Sequence, residues 1–196
     1  MARNDAPPFE LGHTYFEGST PDAAAHVELE GKTYVFEDIN YAASGSTKPH
    51  RTGRYRKMMI VRNASGGTLV AKRIAKMKTD GTGVEFAGQV MGYATTVGER
   101  GYPIDEFVVG TIAANELFYV CVGGPAKVTS AAAGDTNISI GSYVIPSTDG
   151  KVIDQDVTVA AGAATFNQAQ GAIGAAIEAV NAINTDFLID VTMRSA

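Results

Sequence analysis

From residue 57 onward, short apolar runs alternate with turns built on glycine and aspartate. "KMMIVRN" leads through "ASGG" into "TLVAKRIAKM", then through "KTDGTG" into "VEFAGQVMGYA". "EFVVGTI", "ELFYVCV", "ISIGSYVIP", the turn "STDG" and "KVIDQDVTV" follow, and the chain closes on "TDFLIDVTM". Runs this short, spaced this closely, predict strands joined by tight turns. Short helices are expected at most over residues 20–26 or 162–172. Glycine is abundant at 22 residues and tryptophan is absent, which agrees with a mainly β chain. The fold expected is a small closed or partly open β-barrel or sandwich.

The N-terminal part differs. Residues 1–25 hold three prolines and no sustained period, so they read as an extended arm. In "HVELEGKTYVFED" Val27 and Leu29 alternate with Glu28 and Glu30; a turn at Gly31 and Lys32 then leads to Tyr34 and Phe36. That pattern predicts a hairpin. "NYAASGSTKPHRTGRYR" is rich in Gly, Ser, Pro and bases and predicts an exposed loop, of a length that is usually functional or interfacial. The division expected is an arm, hairpin and basic loop over residues 1–60 and a β-barrel domain over 61–196.

Charge is distributed unevenly. Residues 1–47 hold eight acids and two bases, residues 48–78 ten bases and no acid, and residues 79–196 thirteen acids and four bases. The net charge of −5 therefore conceals a basic band made of Lys48, Arg51, Arg54, Arg56, Lys57, Arg62, Lys72, Arg73, Lys76 and Lys78. Nucleic acid is one candidate partner for such a band. Single-strand binders, however, interleave several stacking aromatics with their bases, and Tyr55 is the only aromatic here. An acidic protein surface, or an acidic segment of a neighbouring copy, is the better electrostatic match. A solvated charged face is the plainer alternative.

Catalytic and metal motifs are missing. His13, His26 and His50 lack metal-ligand spacing, and no serine lies in a nucleophile elbow. "SGSTK" lacks the Gly-Lys pair of a phosphate loop. Cys121, the only cysteine, lies in the apolar "LFYVCV" and is expected to be a buried, inert thiol. The chain is therefore expected not to be an enzyme and to need no cofactor or metal. The start "MARNDAPPFELG" has no hydrophobic signal core, and residues 157–177 are too polar for a membrane span. A soluble protein made in the cytoplasm, with no membrane partner, is expected.

The segment "QGAIGAAIEAVNAINTDFLIDVTMR" is ambiguous in its first half, where Ile173, Ile177 and Val180 suit a helix and the alternation of Ile173, Ala175 and Ile177 suits a strand. "GSYVIPSTDGKVIDQD", "QGAIGAAIEAV" and "TDFLIDVTM", taken in that order, resemble the closing module of capsid decoration (cement) proteins of tailed bacteriophages. The match covers Gly141–Val152, Ile173–Ala179 and Phe187–Val191, about a quarter of the chain. The N-terminal arm and hairpin have no counterpart in the shorter members. The resemblance makes 172–179 a strand, since Gly171 and Gly174 would each cost a helix about 1 kcal/mol while glycine permits close approach in a tightly coiled sheet.

What the resemblance implies is a structural virion protein on the outer surface of the capsid, bridging neighbouring copies of the major capsid protein and often a trimer. The docking residues expected are Lys48, Arg51, Arg54, Arg56 and Lys57 in the basic loop, with Phe9, Tyr15 and Phe16 as apolar anchors in the arm. Arginines and aromatics are chosen because they dominate binding hot spots. The alternative from another class is a nucleic-acid-binding β-barrel using the same band.

Overall fold

Two apolar runs organise the chain. "MMIV" and "LFYVCV" have no polar alternation, so strands made from them must be buried on both faces. In the computed structural model they pair. β2 (His50–Asn63) and β8 (Leu117–Thr129) lie antiparallel, with Met58 opposite Cys121, Ile60 opposite Tyr119 and Val61 opposite Phe118. One face of this wall, with Met58, Ile60, Leu117, Tyr119 and Cys121, joins a core completed by Val144, Ile173, Phe187 and Ile189. Its other face, with Val61, Phe118 and Val120, joins a second core containing Leu69, Met77, Val90 and Ile112. Each fully buried aliphatic side chain in these cores contributes about 1.5–3 kcal/mol.

The structure describes residues 6–16, 20–40, 50–79, 85–96, 99, 101–131, 137–155 and 172–191. Among them the other strands are β1 (Thr33–Asn40), β3 (Leu69–Val70), β4 (Ile74–Thr79), β5 (Glu85–Tyr93), β6 (Gly101–Pro103), β7 (Thr111–Ile112), β9 (Tyr143–Pro146), β10 (Val152–Asp154), β11 (Gly174–Ala176) and β12 (Asp186–Val191). The large sheet runs β10-β9-β11-β12-β8-β2-β5-β4-β6, with β1 also on β2, and β3 and β7 form a separate pair. At each end the sheet curls back toward β8. Isolated bridges join Ile104 to Val120 and Ser130 to Val152. These single bridges are not ladders, so the mainly β architecture expected is present as a partly open, sandwich-like sheet.

β8 serves both halves by changing partners at "GGP". Lys57 is opposite Gly123, and Val191 is opposite Gly124. Gly124 has φ +88°, and a Cβ there would run into the Tyr55 carbonyl oxygen. Only glycine fits this point.

The closing segment is strand and not helix, as the resemblance implied, but the strand spans only Gly174–Ala176 of the expected 172–179, with a bend at 177–178. β11 is a strand held between β9 and β12, and a Cβ on Gly174 would meet the Asp190 carbonyl. Phe187, Ile189 and Val191 are buried, while Asp190 is exposed. Residues 181–185 form the turn before β12. The possible helix over 162–172 lies outside the described residues except at its last one.

Several local expectations are corrected. Val27–Leu29 is a 3-10 turn entered through His26 at φ 56°, with Val27 half exposed; the hairpin is β1 with β2. Residues 50–56 belong to β2 and are not a loop, because β1 supplies a partner strand for them. "TLVAKRIAKM" is broken at Lys72, which adopts φ 62°, into β3 and β4. "EFVVGTI" is strand only at Thr111–Ile112, and Val109 in it is 92% exposed. The division expected at 60/61 falls within β2.

The substitution Gly124→Ala combines an unfavourable φ with a backbone clash and is expected to cost about 2–4 kcal/mol. Gly67→Ala, with open space around it, is expected to stay within about 1 kcal/mol of the parent. Urea denaturation of the two variants reads the difference directly.

Candidate functional site: the basic hairpin

A sequence shows a cation but not whether it is neutralised. Five members of the basic band have found partners inside the fold. Arg56 is 6% exposed. Its Nε donates to Asp38 Oδ1 at 2.7 Å, its Nη1 lies 3.0 Å from Glu106 Oε1, and its guanidinium sits 5.3 Å from the Phe107 ring centre. Burial works against the charge, but the Glu106 and Asp38 carboxylates more than offset it and hold the Arg56 pKa above its ordinary value. Both carboxylates are further fixed, Asp38 Oδ2 by Thr52 Oγ1 at 2.8 Å and Glu106 Oε2 by the Lys127 N–H at 2.6 Å.

Arg62, 3% exposed, donates to Glu30 and to the carbonyls of Asp22, Ala25 and Asn115. It thereby pins the turn before β1. Lys72 pairs with Asp186 at 2.5 Å, and Lys76 with Glu99 at 2.5 Å. Lys78 donates to Gln89 at 3.0 Å. Arg73 is half-buried, and its Nη1 has no hydrogen-bond partner among the described residues.

Among the described residues the two fully exposed members of the band lie three residues apart on β2. Arg54 and Lys57 are exposed and make no ion pair among the described residues. Thr52, Gly53, Arg54 and Tyr55 are all exposed, so both faces of β2 there meet solvent. The β1–β2 hairpin therefore projects past the wall, which β8 joins only from Lys57 on. Lys48 lies outside the described residues, and Arg51 is placed in β2 by its backbone alone. Sequence reasoning missed Val35, which is 65% exposed on β1, as is Tyr55 on β2. The pairing of Val35 with Lys57 and of Glu37 with Tyr55 puts all four on the outer face. The odd-numbered alternation in "TYVFED" was the available signal.

The arm anchors sit elsewhere. Phe9 packs on Tyr119 with ring centres 4.5 Å apart and on Tyr15 at 5.6 Å, and the Tyr119 hydroxyl donates to the Phe9 carbonyl. Tyr15 and Leu117 exchange backbone hydrogen bonds at 2.9 and 3.0 Å. The Gly12 N–H donates to Asp105 Oδ2 at 2.6 Å. Burial raises the Asp105 pKa, with the hydrogen bonds from Gly12 and Phe107 acting against it. Phe9 and Tyr15 are thus half-buried against their own body, and Phe16 is 39% exposed. Residues 6–16 add Phe9, Leu11 and Tyr15 to the first core.

Among the described residues no group of three or more His, Cys, Asp or Glu is placed to hold a metal ion, and no helix is long and apolar enough to cross a membrane. Cys121 is 2% exposed, and burial pushes its thiol up to about 12.

Comparisons with known proteins add little. No family model matches the chain, and a search of curated proteins finds no match. Among solved structures, the N base of head fiber gp8.5 of bacteriophage phi29 is similar at 13% identity, over 71% of this chain and 96% of that one, with a TM-score of 0.43. A likeness of that size carries no argument about fold or function.

Two outcomes follow from these burials. Arg56→Ala leaves two carboxylates in the fold without their cation and is expected to cost about 3–5 kcal/mol, whereas Arg54→Ala is expected to change stability by about 0.5 kcal/mol or less. Thermal melts of both separate the structural arginine from the surface one. The Cys121 thiol is expected to resist an aromatic disulfide reagent at pH 8 in the native protein and to react stoichiometrically in urea.

Proposed function

We propose that the chain is a structural virion protein that docks on the outer surface of a phage capsid and bridges neighbouring major capsid protein subunits. The observation that carries this reading is the sorting of the basic band. Arg56, Arg62, Lys72 and Lys76 are ion-paired within the fold, and the two fully exposed members, Arg54 and Lys57, which make no ion pair among the described residues, lie on the β1–β2 hairpin of a doubly packed β body. A rigid body with one charged projection is suited to positioning a contact and not to turning over a substrate. The order and spacing of the closing motifs, which resemble those of capsid decoration proteins, support a capsid protein as the partner.

In this reading Arg54 and Lys57 meet an acidic face of the capsid, and Tyr55 and Val35 supply apolar area beside them. Single contacts of this kind are weak. Several per assembly act at high effective concentration and give tight, slowly reversed coverage. A closed trimer would give each copy an equivalent footprint.

The reading is tested by co-sedimentation of the purified full chain with capsids of the phage that encodes it, and separately with double-stranded DNA. Saturable binding to capsids is expected. The pair Arg54→Glu with Lys57→Glu is expected to lower occupancy at least tenfold without a change in melting temperature. Undiminished occupancy by that variant at raised salt would overturn the assignment of the surface. Retention on DNA that falls steeply with salt would instead favour a nucleic-acid-binding protein using the same hairpin.

A further inference from the structure

β1 is paired on one side only. Among the described residues its ladder is with β2, and no strand or bridge occupies its other side. Natural sheets protect such edges with lysine, proline, a bulge or a covering segment. "TYVFEDIN" contains neither lysine nor proline. The irregularity in its ladder falls between Glu37 and Ile39, so Thr33–Glu37 presents a regular edge. The Ile60 N–H donates to the Lys32 carbonyl at 2.9 Å. By strand alternation, Tyr34 and Phe36 then direct their backbone groups at β2, and Thr33, Val35 and Glu37 direct theirs outward. The edge is also held still. Tyr34 and Phe36 pack against Tyr119 and the first core, and Asp38 is locked to Arg56.

Resting on the docking role proposed for this hairpin, we propose that β1 accepts an extended acidic segment of the partner protein as an added strand. Main-chain hydrogen bonds along Thr33 and Val35 would supply register, as in other strand additions. Side chains on the outer face supply the selectivity. A strand added to β1 lies about 10 Å from β2, two strand spacings away. An extended lysine and a carboxylate side chain reaching toward each other span that gap across Val35. Lys57 sits opposite Val35 on that face, so the partner segment that fits alternates apolar residues with Asp or Glu. Glu37, the acid on this face, is already engaged in an interaction of its own. A polynucleotide could use the two cations but not the strand edge.

The experiment uses the full chain and a fluorescein-labelled eight-residue peptide of alternating valine and glutamate, read by fluorescence anisotropy. Saturable binding is expected, with affinity falling at least tenfold when alternate peptide nitrogens are methylated. It is also expected to fall at least tenfold in Val35→Pro, which removes an outward N–H from an exposed position, and in Lys57→Glu. A valine–lysine peptide is expected to bind Lys57→Glu better than it binds the parent protein. Equal binding of the methylated peptide, or no binding of the acidic peptide, would overturn the strand addition. Val35→Pro is carried into the capsid co-sedimentation after its melting temperature has been checked. Capsid binding kept by Val35→Pro but lost by the Arg54→Glu, Lys57→Glu pair would refute strand addition and leave the docking surface standing. Binding kept by both would refute the surface itself.

Discussion

Everything in this fold hangs on a wall that is apolar on both sides. β2 and β8 place Met58, Ile60, Leu117, Tyr119 and Cys121 in one core and Val61, Phe118 and Val120 in another. A sheet in that position cannot be rebuilt from one face alone, because loosening either core exposes the same two strands. The two halves of the large sheet are therefore coupled through shared residues and not through a docked interface. Gly124 is the cost of the arrangement, where a strand that serves both halves of the sheet must pass its neighbour's carbonyl without a side chain.

The charged residues follow from the wall. Its ends have to stop somewhere, and polar groups appear there that burial would penalise heavily if left alone. Arg56 closes the end of β2 that meets the hairpin, with Asp38 from β1 and Glu106 from the turn after β6. Arg62 closes the other end and draws in Glu30 together with three main-chain carbonyls. Both arginines gather segments distant in sequence, so they act as staples between the N-terminal part and the wall. That is why the described residues among the first sixty are built into the body and share its core.

The sequence carried the apolar wall, the closing strand and the inert thiol openly, because each depends on a local pattern: an unbroken hydrophobic run, a period of two, or a cysteine among aliphatics. Arg56 was illegible for the opposite reason. Its exposed neighbours Arg54 and Lys57 look the same in a linear reading, and the difference lies in Asp38 and Glu106, far away along the chain. Val27–Leu29 misled because alternation over four residues is also compatible with a 3-10 turn, here with Glu28 exposed and Glu30 turned in to Arg62. Lys72 misled because a single left-handed residue splits an otherwise continuous strand pattern. For the arm, Phe9 and Tyr15 were named as docking anchors by their type, but type alone could not say that they pack on Tyr119 and Leu117 of the same chain.

The arm and the hairpin illustrate two ways of finishing a sheet. The N-terminal residues cover β8 at Leu117 through Tyr15, bury Phe9 on Tyr119, and satisfy the Asp105 carboxylate with the Gly12 N–H. That side of the wall is sealed by the chain itself. β1 is built to the same standard on its inner face, with two aromatics and a locked ion pair, yet over Thr33–Glu37 its outer edge has no lysine, proline or, among the described residues, covering strand, and the irregularity in its ladder lies beyond Glu37. A strand edge left open on a rigid support costs little stability by itself, since its main-chain groups are solvated. What it keeps is a directional set of donors and acceptors already held in place, so that little conformational entropy remains to be lost on pairing. Among the described residues the edge of β1 that no strand pairs and the cations without an ion pair share one hairpin, and it is their coincidence, more than either alone, on which the proposed docking surface rests.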